Sequence, residues 1–161
     1  MVFTDYVKAG YPLIWTRTYE PERLIGEMSE SELGKIRSLA IWDCVRGYRK
    51  FSQGEWSPFV PIDEADPYSL PEVMAKSDKT IWLLQNYHWF MNEPKVLQGL
   101  LNFLGVYKAR KITAIIVSPE ARINAQVGIP KEIDRELVIL DYSLPNKAAV
   151  ATLVYDMESM S

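Results

Sequence analysis

Five short apolar runs recur along the chain, each followed by a polar or helix-like segment: 13–18, 39–45, 80–84, 112–117 and 137–140. That alternation constrains the fold most, because strands separated by helical segments build βαβ units and a parallel sheet. The runs Ile81 to Leu84 and Ile112 to Val117 are nearly continuous in Ile, Leu, Val and Trp. Strands covered on both faces read this way, so these two are placed centrally.

Between the runs, helical spacing is clearest after Asn92, taken as an N-cap, and Pro94. There Leu97, Leu100, Leu101 and Leu104 share a face up to the Gly105 region. Pro21 opens a first crossover helix through Leu24, Ile25 and Met28, and a helix around 69–75 carries Pro71 in its first turn. A last amphipathic helix is expected from Val150, Leu153, Val154 and Met157. The stretch 46–67, with three prolines and no clear period, reads as a long loop, and 119–136 as a second irregular segment punctuated by Gly128 and Pro130.

At 161 residues and 48% hydrophobic, the chain supports one core, so a single domain over 1–161 is expected. Eighteen basic against 21 acidic side chains give a formal net charge of −3, with no basic block, so phosphate-driven nucleic-acid binding gets no support and no nucleic-acid partner is expected. One cysteine, Cys44, and one histidine, His88, leave neither an intramolecular disulfide nor an all-protein Cys/His zinc set. With neither a secretory leader nor a run of membrane-spanning length, no membrane partner is expected and a reducing, cytosolic setting fits.

In an open parallel sheet, ligands bind beyond the carboxyl ends of the strands. After the first run the sequence is Arg17-Thr18-Tyr19-Glu20-Pro21-Glu22-Arg23. A phosphate loop needs glycines, free backbone N–H groups and a lysine. Here Pro21 lacks an N–H, Glu20 and Glu22 repel phosphate, and no glycine precedes Gly26. After the third run, where a nucleotide hydrolase holds magnesium on an Asp, stand the uncharged Gln85 and Asn86. His88 titrates in the right range for acid–base work, yet no motif ties a nucleophile to it. Ser118, Pro119 and Glu120 read as a turn, Asp141 as a hydrogen-bond acceptor for a neighbouring loop, and Asp63, Glu64 and Asp66 as solvated acids.

What remains is a contact surface. Arg46, Tyr48, Arg49, Phe51 and Trp56 mix guanidinium groups and aromatics in a composition enriched at protein interfaces, and Asn86, Tyr87, His88 and Trp89 stand at a neighbouring strand end. Covering the sheet edge is an equally good role for these aromatics.

An ordered set of segments resembles the N-terminal region of a family of bacterial and chloroplast AAA ATPases. It comprises Tyr11 to Ile14 with Glu20 to Leu24, Trp42 and Asp43 with Gly47, Asp66 and Pro67, the Asn86, Tyr87, His88 turn with Asn92 to Pro94, Ile115 to Pro119, and Val138 to Pro145 with Asp141 and Leu144. The resemblance implies a degenerate P-loop-like domain: a three-layer α/β sandwich with a five-stranded, mainly parallel sheet of RecA-like order 5-1-4-3-2 and no Walker motifs. It implies an N-terminal piece of a longer ATPase that binds no cofactor itself, with ATP and magnesium confined to a C-terminal module. It further implies a docking or regulatory role whose partners are that module, a protein substrate or adaptor, and further copies of the chain, in the cytoplasm or the plastid stroma. Such domains often carry Asp where this chain has Asn86. The alternatives are a small stand-alone enzyme using His88 with Glu120 or Asp141, and a stand-alone adaptor binding through 46–59.

Overall fold

The computed structural model describes residues 2–121 and 129–142. All five apolar runs become strands: β1 (Leu13–Arg17), β2 (Ser38–Asp43), and, with the numbering of the full sheet, β5 (Thr80–Gln85), β6 (Thr113–Ser118) and β7 (Leu137–Asp141). Each pairs in parallel with its neighbours among these five, through registers such as Ile14↔Ile115 and Ile41↔Leu83. The mixed α/β class follows directly from the alternation.

The expected five-stranded sheet in the order 5-1-4-3-2 is corrected to a seven-stranded one, so the count and the order of the whole sheet differ, while the five parallel strands within it keep their expected neighbours as β7-β1-β6-β5-β2. Two antiparallel strands, β3 (Gly47–Ser52) and β4 (Glu55–Trp56), extend the sheet beyond β2, and the seven strands run β4-β3-β2-β5-β6-β1-β7. Both lie in the stretch expected to be a loop. Tyr48 and Lys50 alternate with Arg49 and Phe51, and Gln53 and Gly54 both take positive φ, 55° and 81°. Left-handed backbone at both central residues is what a tight two-residue hairpin needs, and Gln-Gly is a weaker signal for it than Asn-Gly or Asp-Gly. A short 3₁₀ turn, Ile62–Glu64, follows.

Helices cover both faces, giving three layers. On one face α1 (Val2–Lys8), α2 (Pro21–Glu30) and α3 (Glu32–Ile36) pack Val7, Leu24, Met28 and Leu33 against Ile14, Ile41, Leu83 and Ile115. The other face takes α4 (Leu70–Ala75), α5 (Pro94–Arg110) and α6 (Lys131–Asp134). The first crossover divides where Ser31 accepts a hydrogen bond from the Gly34 amide, and Gly34 itself is locked in by backbone, since an added Cβ would meet the Met28 carbonyl at 2.7 Å. The long helix starts after Glu93 rather than Asn92 and runs through Gly105 to Arg110. The expected terminal helix at 150–157 lies outside the described residues.

The second face holds three fully buried indoles. Trp82 sits between Ala40 and Ala114 in register, a large ring flanked by small residues, while Trp42 and Trp15 share the next row with Leu84 and Ile116. Each indole N–H is satisfied: Trp15 donates to Ser118 Oγ at 2.7 Å, Trp42 to the Ala65 carbonyl at 2.8 Å and Trp82 to Ser77 Oγ at 3.1 Å. Buried indoles are stabilising only with such a partner.

Two glycines of this region differ sharply in cost. Gly47 has φ +91° and an added Cβ would meet the Val60 carbonyl at 1.9 Å, whereas Gly54 at φ +81° faces open space. Left-handed strain plus overpacking predicts that Gly47→Ala loses roughly 2–5 kcal/mol of stability. Gly54→Ala should lose only about 1–2 kcal/mol from strain alone. Urea unfolding of the two variants checks the contrast.

Candidate functional site at the carboxyl edge of the sheet

Parallel pairing delivers the ends of β1, β2, β5, β6 and β7 to one edge. After β1 the chain turns at once: the Thr18 amide bonds the Ser118 carbonyl at 2.9 Å, and the Glu20 amide bonds Thr18 Oγ1 at 2.9 Å. Glu20 is the N-cap of α2 and Pro21 its first residue. The helix therefore begins with one amide already satisfied and one missing, beside a carboxylate 3.7 Å from Arg23 Nε. A phosphate has neither the cradle of N–H groups nor the charge it requires there.

Arg17, the cation closest to that turn in sequence, is engaged elsewhere. Its Nε and Nη2 reach the two carboxylate oxygens of Asp141 at 2.6 and 2.8 Å, across the register pair of β1 and β7. The pair raises the Arg17 pKa, the hydrogen bond to Asp141 outweighing desolvation. Asp141 thus holds the neighbouring strand end.

After β5, Asn86 takes left-handed backbone at φ 58°, its amide bonding the Val117 carbonyl, and the 3₁₀ turn Tyr87–Phe90 follows. Neither Gln85 nor Asn86 supplies a carboxylate of the kind with which a nucleotide hydrolase holds magnesium. Ser118 Oγ accepts from Trp15 and donates to the Glu120 carbonyl at 2.7 Å, a structural use of the hydroxyl. Asp43 is likewise occupied, accepting from the amides of Val45 and Arg46 and from Arg46 Nε at 2.6 Å. Burial pushes its carboxyl up, but the hydrogen bonds from Arg46 and Val45 outweigh that and hold it below its usual range.

The nine contact residues named from sequence do not form one patch. Arg49 stacks between Trp56 and Phe59, at 5.1 and 5.0 Å from the ring centres, and Arg46 lies 4.9 Å over Phe59. Phe51 packs on Trp56 at 5.0 Å. Tyr48 points to the opposite face, onto Trp82. At the carboxyl edge Tyr87 is fully buried, its hydroxyl bonded to the Pro67 carbonyl at 2.8 Å, and His88 is 7% exposed, while Trp89 is 59% exposed.

The same edge exposes apolar side chains that sequence reasoning passed over. Tyr19, after β1, is 83% exposed, Val45, after β2, 78%, and Tyr68, beside the Pro67 carbonyl held by Tyr87, 50%. For Tyr19 and Val45 the available signal was an apolar residue two places past a strand end. Of the acidic trio, Asp66 accepts from the Tyr68 and Ser69 amides and so starts α4.

A family model for the SpoVK-like AAA ATPase N-terminal domain matches residues 2–142. The chain belongs to this family. It is also 23% identical over 154 residues to an uncharacterized AAA domain-containing protein, ycf46, of Guillardia theta. That alignment covers 92% of this chain and 28% of the relative, so the chain spans little more than a quarter of the relative's length. Among the described residues, no helix is long and apolar enough to cross a membrane.

His88 gives this edge a pH signature. Burial lowers its pKa, opposed by the charge of Glu120, and its buried Nδ1 has no hydrogen-bond partner among the described residues. The folded state thus prefers neutral imidazole. Its contribution is fully present above the unfolded value of about 6.5 and is lost as pH falls through the lower folded value. Thermal melts should fall less between pH 7.5 and 5.5 for His88→Gln than for the parent chain.

Proposed function

We propose that this chain is a non-catalytic N-terminal domain of a longer AAA ATPase, retaining a degenerate P-loop-like frame and docking protein at its carboxyl edge. One observation carries the reading: the edge where a nucleotide would sit is closed by its own bonds yet presents Tyr19, Val45, Tyr68 and Trp89 to solvent. Exposed aromatics in a set of this kind favour protein contact over solvation. The parallel strands β2, β5, β6 and β1 lie side by side, so the turns bearing Val45, Trp89 and Tyr19 span about 15 Å at 4.8 Å per strand. That is the scale of an interface core rather than of a small-molecule cleft.

The first occupant of this surface is the ATPase module of the same protein, and a protein substrate or adaptor competes for it or sits beside it. In that role the domain regulates ATP turnover without touching nucleotide, in a cytoplasmic or stromal compartment. Family membership supports the ATPase context, and the unfit phosphate turn supports a non-catalytic role.

Hydroxyl-radical footprinting of the chain alone against the whole ATPase tests the docking. Tyr19, Tyr68 and Trp89 should be oxidised several-fold less in the whole protein. Val45→Asp combined with Trp89→Ala should change its ATP turnover about fivefold or more, within the usual range of intersite coupling. Equal oxidation in both contexts, with turnover unmoved by the variant, contradicts the proposal.

A further inference from the structure

The two outer strands of the sheet are finished differently. At one side β4 is two residues long, pairs with β3 through Phe51↔Trp56 and Ser52↔Glu55, and is followed by Ser57 and Pro58, with Glu55 exposed. A short strand, a charge and a proline are the usual means of stopping a further strand from adding. At the other side β7 reads Leu137-Val138-Ile139-Leu140-Asp141 and, among the described residues, pairs only with β1. It holds no proline or lysine, and its one charge, Asp141, is taken by Arg17. Ile139, at its centre, is 40% exposed.

The direction of the backbone groups follows from the ladder. The Tyr142 amide donates to the Arg17 carbonyl at 3.1 Å. In this parallel register Val138 and Leu140 therefore turn their N–H and C=O groups toward β1, while Leu137, Ile139 and Asp141 turn theirs outward. Such an outward row on an apolar strand is a template for another strand. The side chains alternate too: Leu137 packs with the tryptophan face, which Ile139 shares, and Val138 and Leu140 pack on the opposite face.

What fits this edge is the same edge again. With a two-fold axis at Ile139, an antiparallel pairing sets Ile139 against its own counterpart as a pair exchanging both N–H···O bonds. Leu137 then faces Asp141 in the same way on either side of the axis. Val138 stands opposite Leu140, apolar against apolar. Asp141 never meets its counterpart, whereas an axis two residues later would oppose the two carboxylates. The strand is thus self-complementary in hydrogen bonds, in side chains and in charge.

We infer that β7 joins two copies of this chain, edge to edge and antiparallel about Ile139, so that one sheet continues through both. The contact is separate from the docking proposed at the carboxyl edge, and either can fail without the other.

Sedimentation equilibrium of the 161-residue chain, with amide exchange followed by NMR over the same concentrations, tests it. The mass should rise from one chain toward two between about 10 μM and about 1 mM, the range of a small interface. The Leu137, Ile139 and Asp141 amides should slow several-fold over that range, while those of Val138 and Leu140 are protected throughout. Ile139→Lys sets like charges across the axis and should weaken association about tenfold or more, with the melting temperature of the dilute chain held. Ile139→Thr, which keeps a strand-forming residue, should weaken it several-fold. A chain that stays single to millimolar, or a dimer whose outward amides exchange as fast as in the single chain, overturns the inference. Outward amides protected equally at every concentration overturn it as well, because the chain's own continuation then covers the edge.

Discussion

Three buried indole N–H groups hold together the parts of this fold that matter for function. Trp42 draws in the segment after the 3₁₀ turn through the Ala65 carbonyl, Trp82 fixes the end of α4 through Ser77, and Trp15 fixes the turn after β6 through Ser118. The rings lie on one face of the sheet, so one layer of packing sets three connections at once. Two tyrosines continue the pattern, Tyr87 to the Pro67 carbonyl and Tyr107 to the Pro71 carbonyl, clamping the chain that enters α4. Removing one such side chain costs about 3–5 kcal/mol, against about 0–1 kcal/mol for an exposed ion pair such as Arg17 with Asp141. The aromatic layer, then, stabilises the domain, and the surface charges chiefly decide what each edge presents.

This division fits the proposed reading of the chain as a non-catalytic part of an AAA ATPase. The carboxyl edge is not an empty cleft: Thr18, Ser118, Asp43 and Asp141 are each committed to a neighbouring backbone or side chain. What the committed groups leave over is apolar, and it faces solvent. The amino edge differs, with a cavity whose walls carry both cations and carboxylates, Lys35, Arg37 and Lys79 beside Glu30 and Asp78. Two edges of one sheet thus carry different surface chemistry on a common core.

Much of the fold was legible in the sequence because the strands are buried on both faces and read as continuous apolar runs. Pro21 at the start of α2 and the leucines of α5 were equally plain. The hairpin of β3 and β4 was hidden, since Lys50 and Arg49 break the apolar alternation and Gln53-Gly54 is an uncommon turn pair. Helix α5 outran Gly105 because a glycine at an open helix position is only mildly costly. For the site, the misfit of Glu20 and Pro21 to phosphate was readable from chemistry alone. The separation of Tyr48 from Arg49, and the burial of Tyr87 beside an exposed Trp89, depend on strand parity and on tertiary packing that no local pattern records.

The central claim is that the carboxyl edge does not receive nucleotide. Isothermal titration of the 161-residue chain with ATP and magnesium measures it directly. The account predicts no binding heat up to millimolar nucleotide. Magnesium-dependent binding at micromolar affinity, abolished by Arg17→Ala or Asn86→Ala, would contradict it.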